Sequence, residues 1–298
     1  KSTLTITDVV FIIAPRINAA GRMKHGNHAV SLLVETDPKC AAQWASEIEL
    51  FNAERKDADK QITKEALEQI TQASEQANST TVVYKENWHK GVIGIVASRL
   101  IETYYRPTLV FTKSGDTLAA SARSVKGFDV YNALEGCAQY IEQFGGHKYA
   151  AGLTLQEKDY PDFKAQFEKV VSQTIDPKLL SPEIHIDAQI ELADITPKFH
   201  RILKQFAPFG PGNRQPVFIT QNLKDTGYGK CVGADKTHLR LTVKQVNSNA
   251  MVGIGFGLGD KKEIACASTP FKAVYCIDEN HWQGQVSLQL RIKDIQPS

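Results

Sequence analysis

The sequence has 298 residues, 42% of them hydrophobic and 23% charged, and a formal net charge of +2. It is long enough for about two domains with ordinary cores, and its charge is too mild to name a partner, because charge is informative only where it clusters. Five scattered cysteines disfavour a disulfide framework or a zinc site, and no apolar run approaches the roughly 18 residues of a membrane span, so a soluble cytoplasmic protein with no membrane partner is expected.

The chain opens at Lys1 without a methionine and runs at once into the apolar stretch Val9–Ile13, as expected of a cut inside a larger protein. Residues 1–34 carry four basic side chains and one acidic, 35–78 carry five and ten, and 181–298 carry fourteen and eleven, so positive charge flanks an acidic middle. The string Pro15-Arg16-Ile17-Asn18-Ala19-Ala20-Gly21-Arg22 places two arginines and an asparagine in a turn. Arg16, Asn18 and Arg22 are candidate donors to a backbone phosphate there, although a plain surface connection reads the same way. His25 and His28, three apart with no third ligand nearby, read as solvated.

Thr36-Asp37-Pro38 offers an N-cap with proline at the first helical position, and apolar residues recur at Trp44, Ile48, Phe51, Ala58, Ile62, Ala66 and Ile70. The spacing predicts one helix from Pro38 to about Gln76, on the order of 60 Å long, with a narrow stripe suited to a solvated connector. After it come a strand (81–84), a helix (91–104), strands at 108–112 and 117–123, a helix (130–144), a strand (149–155) and a helix (160–174). Such alternation indicates a mixed α/β domain.

Within that domain, Asn87-Trp88-His89-Lys90-Gly91 precedes a helix whose N-terminal N–H groups favour an anion, while Trp88 reads more readily as core than as a stacking platform. Period-two alternation points Ser121 and Arg123 to one face, where hydroxyl and guanidinium could hold a phosphate, with Ser124 beside them. A solvated strand edge fits the same pattern. In Gly145-Gly146-His147-Lys148 two glycines end the 130–144 helix and free the backbone to approach a ligand, or else form a helix C-cap and a tight turn.

From Ser181 onward short alternating strands are predicted at 184–190, 217–219, 238–243, 250–256, 272–277 and 286–292, interrupted by a helix at 196–206. Five or six strands with one inserted helix fit a small barrel such as an OB-fold. The boundary falls near 177–182. Tyr228, Lys230, His238, Arg240, Trp282 and Arg291 mix aromatics with cations, the means by which barrels hold single strands without reading sequence.

The strings APRINAAGRM (14–23), NWHKGVIGIVASRL (87–100), SARSVKGFD (121–129), FGGHKYAAG (144–152), PFGPGNRQPVF (208–218) and WQGQVSLQLRIKDI (282–295), in this order, resemble the RecJ family of the DHH phosphoesterase superfamily. The resemblance implies an α/β plus β architecture: a tail of the catalytic DHH domain (1–30), a long connecting helix (31–78), a DHH-associated substrate-binding domain (79–177) and an OB-fold-like β-barrel (178–298). It also implies a 5′→3′ exonuclease specific for single-stranded DNA, acting in DNA repair and recombination, with two divalent cations, manganese or magnesium. The chain contains no Asp-His-His triplet to hold them, so these residues alone are expected to be inactive. Arg16, Ser121, Arg123, Gly146 and His147 match the family's grip on the 5′ phosphate and DNA backbone, and Asn18, Arg22, Ser124 and Gly145 are expected to bind beside them. Tyr228, Lys230, Arg240 and Trp282 are the barrel residues expected to touch the single strand. A noncatalytic single-strand-binding module and a small-oligonucleotide phosphodiesterase are the alternatives. Protein partners are not named by the sequence.

Overall fold

The computed structural model describes residues 4, 6–210 and 212–298. By their contacts the residues fall into two units, 1–182 and 183–298. No helix among the described residues is long and apolar enough to cross a membrane.

The first unit begins with α1 (Ile6–Asp8), a π-helical turn (Val9–Ile13) and α2 (Ala14–Met23), followed by α3 (Asn27–Val34) and α4 (Pro38–Gln72). The expected turn at Pro15–Arg22 is therefore helix. Pro15 sits at the start of α2, where its missing N–H is not needed, and Ala19 and Ala20 are fully buried where that helix meets the chain around it. Asp37 caps α4, accepting from Lys39 N at 2.8 Å and Cys40 N at 2.9 Å, and these bonds hold its carboxyl below the usual carboxylate value. The solvated connector is also corrected. Ile48 packs in a cluster with Ala20 and Ala29, and Ile62, Ala66 and Ile70 pack in one with Trp88, Val92, Ile93, Val96 and Leu100. The buried Asp59 accepts from Arg99 Nε with both oxygens at 2.8 Å, fastening α4 to α5 (Ile93–Thr103). His28, expected to be solvated, lies edge-on to Trp44 and Phe51 at 5.6 and 5.2 Å between centroids.

Five strands form the first sheet: β1 (Thr81–Tyr84), β2 (Thr108–Ser114), β3 (Thr117–Arg123), β4 (Gln143–His147) and β5 (Ala150–Leu155), in the order β1-β2-β3-β5-β4. Only the β1–β2 pair is parallel. Alternation along β2 sends Leu109 and Phe111 into the core with α6 (Val130–Glu135) and α7 (Tyr160–Thr174), and Val110 into the core with α4 and α5. The helix expected over 130–144 stops at Glu135. Gly136 forms its C-cap, and Gln143–His147 pairs with β5 as the edge strand β4 instead of continuing a helix. Gly145 and Gly146 thus belong to a β4–β5 hairpin with Lys148 and Tyr149 in its turn.

The second unit contains β6 (Ala188–Gln189), α8 (Pro197–Leu203), β7 (Phe218–Asp225), β8 (Lys230–Val232), β9 (His238–Lys244), β10 (Met251–Gly255), α9 (Lys262–Ala265), β11 (Phe271–Trp282) and β12 (Gln285–Pro297). The sheet runs β6-β7-β11-β12-β10-β9-β8, and a further β7–β9 pairing curls it into an OB-like closure rather than a fully regular barrel. Leu239, Leu241, Val243, Tyr275, Leu290 and Ile292 fill its core. The expected strand at 184–190 reduces to β6. The strands expected at 272–277 and 286–292 extend into a hairpin whose turn residues Gln283 and Gly284 have φ of 48° and 79°, a two-residue turn that keeps long strands in register.

Candidate phosphate and nucleic-acid sites

Strand register decides what stands beside Ser121 and Arg123. Ser121 pairs with Gly152, which pairs with Gly145; Arg123 pairs with Ala150, which pairs with His147. All six share one face, since residues directly opposite in a sheet point the same way. The other face carries Ala120, Ala122, Ala151 and Leu153 into the core. Where α5 stops covering the open face, the sheet continues as a strip bare of side chains at Gly152 and Gly145, ending at the exposed His147.

Above Ser121 and Arg123 lies a cavity of about 260 Å³ whose wall includes Arg22, Lys90, Gly94, Ser121 and Arg123. Arg123 Nη1 donates to Ser121 Oγ at 3.0 Å and to its neighbour's carbonyl, Ala122 O, at 2.8 Å. Arg22 Nη1 donates to Gly91 O at 3.1 Å, bringing α2 to the turn before α5. Among the described residues no aspartate or glutamate lines the cavity. Burial, and after it the positive charge of Arg22, pull Arg123 below the ordinary guanidinium value. A bound anion would relieve both effects. Such a cavity suits a phosphate, held by charge-assisted bonds from planar forks of donors.

Of the residues expected at this site, Arg22, Ser121 and Arg123 are brought together. Arg16 is engaged elsewhere, its Nε 2.5 Å from Glu49 Oε2 and its Nη2 3.1 Å from Glu49 Oε1, so it clamps α2 to α4 and lowers the Glu49 pKa. Asn18 is exposed on α2 and does not line the cavity. Ser124 Oγ donates to Phe128 O at 3.0 Å and holds the turn after β3. Gly145 and His147 share the open face, and Gly146, at φ 152°, allows β4 to lie against Ala150 and Ala151 where a Cβ would collide. Trp88 is core, its Nε1 donating to Glu65 Oε2 at 2.7 Å. Lys90 and Gly94 were not singled out as site residues from the sequence, though their position before a helix was itself a signal.

In the second unit, Lys230 pairs directly with Arg240 across β8 and β9, setting two cations side by side on the outer face, since Leu239 and Leu241 point to the core. Asp225 Oδ2 accepts from Gly227 N at 2.8 Å and Gly229 N at 2.9 Å, shaping the loop that presents Tyr228, 74% exposed. Phe256, 62% exposed, lies edge-on to His238 just past the end of β10, and was not singled out from the sequence, where it closes the strand expected at 250–256. Trp282, 69% exposed, is at the tip of the β11–β12 hairpin. Arg291 is engaged, with Nε 3.1 Å from Asp278 Oδ2 and Nη2 donating to Gln215 Oε1 at 2.5 Å, which explains the glutamine in the PFGPGNRQPVF string.

No group of three His, Cys, Asp or Glu among the described residues could hold a metal ion. These described residues do not fit the divalent cations that the resemblance implies.

Residues 77–173 match the DHHA1 domain and residues 186–294 the RecJ OB domain. The single-stranded-DNA-specific exonuclease RecJ of Bacillus subtilis is 33% identical over 290 residues, covering 96% of this chain and 36% of the relative. RecJ of Salmonella typhimurium is 32% identical over 309 residues, 99% of this chain and 52% of the relative. The crystal structure of RecJ from Thermus thermophilus in complex with Mn2+ superimposes with a TM-score of 0.83 at 26% identity, over 98% of this chain and 41% of that one. The chain thus spans between about a third and a half of the curated relatives it matches.

Proposed function

Because this chain belongs to the RecJ family, we propose that its first unit grips the 5′-terminal phosphate of a DNA strand and its second holds single-stranded DNA without reading sequence, serving 5′→3′ exonuclease activity of the whole protein. The observation that carries this reading is the carboxylate-free cavity in which Arg123, braced on Ser121, meets Arg22. A terminal phosphate carries more negative charge than an internal diester and presents more free oxygens, so fixed guanidiniums favour a strand end. The bare strip at Gly152 and Gly145 gives the first sugar and base room on the same face, and His147 stands within the reach of the strand that leaves it.

In the second unit the charge pair Lys230 and Arg240 neutralises phosphates while Tyr228 and Phe256 offer ring faces to bases, a combination that tolerates any sequence. Trp282 is a separate platform on the hairpin tip. Manganese or magnesium supplies hydrolysis in this reading, held by residues other than those described, and the 298 residues by themselves bind without cleaving. A role in DNA repair and recombination belongs to the same proposal.

Digestion assays with the whole protein test the reading. Arg123→Ala should slow release from 5′-phosphorylated strands far more than it weakens overall DNA binding, with Arg123→Lys rescuing only part because a point charge cannot replace a fork of donors. Equal rates on 5′-phosphorylated and 5′-hydroxyl strands before and after the substitution would move the phosphate site elsewhere. Manganese-dependent release of nucleotides by the 298 residues alone would overturn the division between binding and chemistry.

A further inference from the structure

Lys90 stands on the wall of the phosphate cavity, in the turn just before α5. The lysines around it are neutralised: Lys85 Nζ lies 3.0 Å from Glu65 Oε2, and Lys113 Nζ lies 3.2 Å from Glu86 Oε1. Lys90 Nζ instead donates to the neutral hydroxyl of Ser114 at 2.9 Å, and among the described residues no carboxylate forms an ion pair with it. Lys90 thus lines an acid-free cavity beside Arg22 and Arg123, while its ammonium rests on Ser114 outside the lining and has no carboxylate to leave when an anion arrives.

The position of Lys90 is fixed by its neighbour. Gly91 O accepts from Arg22 Nη1 at 3.1 Å, Gly91 N donates to His89 Nδ1 at 3.1 Å, and a Cβ on Gly91 would collide with Arg22 O. The backbone beside Lys90 is thereby locked to α2, while the four-carbon stem leaves the ammonium free to swing.

We propose that Lys90 is the specificity-determining third cation of this cavity, leaving Ser114 to bind a phosphomonoester dianion and thereby separating strand ends from internal diesters. The proposal rests on the reading of the cavity as a terminal-phosphate site and extends it. A monoester has three terminal oxygens, one for Arg22, one for the Arg123–Ser121 pair and one for Lys90, whereas a diester has two. Coulomb attraction also scales with ligand charge, so each added cation favours a dianion about twice as strongly as a monoanion. The shared ligand chemistry is the phosphomonoester, borne by a 5′-phosphorylated strand or by a free nucleoside 5′-monophosphate.

Competition binding to the 298-residue chain tests this with 5′-phosphorylated, 3′-phosphorylated and 5′-hydroxyl pentathymidylate and with thymidine 5′-monophosphate, at pH 5 and pH 8. The second phosphate ionisation lies near pH ~6. Guanidiniums keep their charge across this range, and His89 is the same in every variant compared. Lys90→Gln should lower the ratio of 5′-phosphate to 5′-hydroxyl affinity about 5- to 10-fold at pH 8 and by less at pH 5, with the melting temperature unchanged. Lys90→Arg should retain most of the ratio, and Ser114→Ala all of it. An unchanged ratio in Lys90→Gln, with the ratio lost in Arg123→Gln, overturns the role of Lys90 and leaves the terminal-phosphate reading standing. Loss equal at both pH values, or accompanied by a lower melting temperature, overturns it in favour of a structural lysine. A Lys90 effect confined to the mononucleotide overturns the assignment to strand ends. Absence of any 5′-phosphate preference in the unsubstituted chain overturns both readings.

Discussion

Gly94 leaves the space in which Arg123 rests: a Cβ at position 94 would lie 2.9 Å from Arg123 Nη2 and 2.9 Å from Ser121 Oγ. A methyl there must displace the guanidinium or the hydroxyl, while the helix itself gains up to ~1 kcal/mol from the exchange of glycine for alanine. Gly94→Ala is therefore expected to bind 5′-phosphorylated oligonucleotides about 10-fold more weakly, the loss of one charge-assisted bond, without a lower melting temperature. Fluorescence titration and thermal melting check this together. Unchanged affinity would show that Arg123 binds from another rotamer.

The indole of Trp88 sets a pH dependence. Its hydrogen bond, and after it that of Lys85, hold the Glu65 carboxyl below its ordinary value of 4.5. The native state thus binds fewer protons than the unfolded chain in that acid range, so this stability is fully present above pH 4.5 and is lost as pH falls through the lower native-state value. Glu65→Gln should flatten that acid limb of urea midpoints measured from pH 3 to 7 and cost about 1 kcal/mol at neutral pH. An acid limb identical in both proteins would place the proton uptake elsewhere.

The Lys230–Arg240 pair should govern the salt dependence of single-strand binding. Replacing both with glutamine removes about two phosphate contacts, so the slope of log affinity against log salt should shrink by about 1.4. Arg291→Gln, by contrast, should leave the slope alone and lower stability, because its guanidinium serves Asp278 and Gln215. Titrations of labelled oligonucleotides across salt concentrations, with duplex for comparison, read these outcomes. An equal effect from Arg291 would mean that the outer row of the sheet binds DNA as a whole.

Ser121 and Arg123 were legible in the sequence because period-two alternation over Thr117–Arg123 puts them on one face without knowledge of any partner strand. Their neighbours were not, since the pairings that bring Gly152 and Gly145 alongside are long-range choices. The same gap misplaced the glycines: apolar spacing from Val130 to Phe144 satisfies a helix until β4 is seen pairing with β5. Pro15 read as a turn signal, yet it starts a helix whose buried alanines reveal themselves only against their packing partners. Lys90 lay in a recognisable helix-start motif, but its closeness to Arg22 depends on α2 docking against Gly91. Local pattern reported the direction of side chains, and tertiary pairing decided which of them meet.

Occupation of the Arg123 cavity by the terminal phosphate of a 5′-phosphorylated strand is the property from which the other expectations follow. Phosphorus-31 NMR of a 5′-phosphorylated pentanucleotide separates its terminal monoester resonance from the internal diesters. On addition of the unsubstituted chain the monoester resonance should shift and broaden most, and Arg123→Ala should abolish this change while leaving smaller perturbations of the diesters. Perturbation of the diesters alone, or a monoester response indifferent to Arg123→Ala, would contradict a terminal-phosphate site at Arg123.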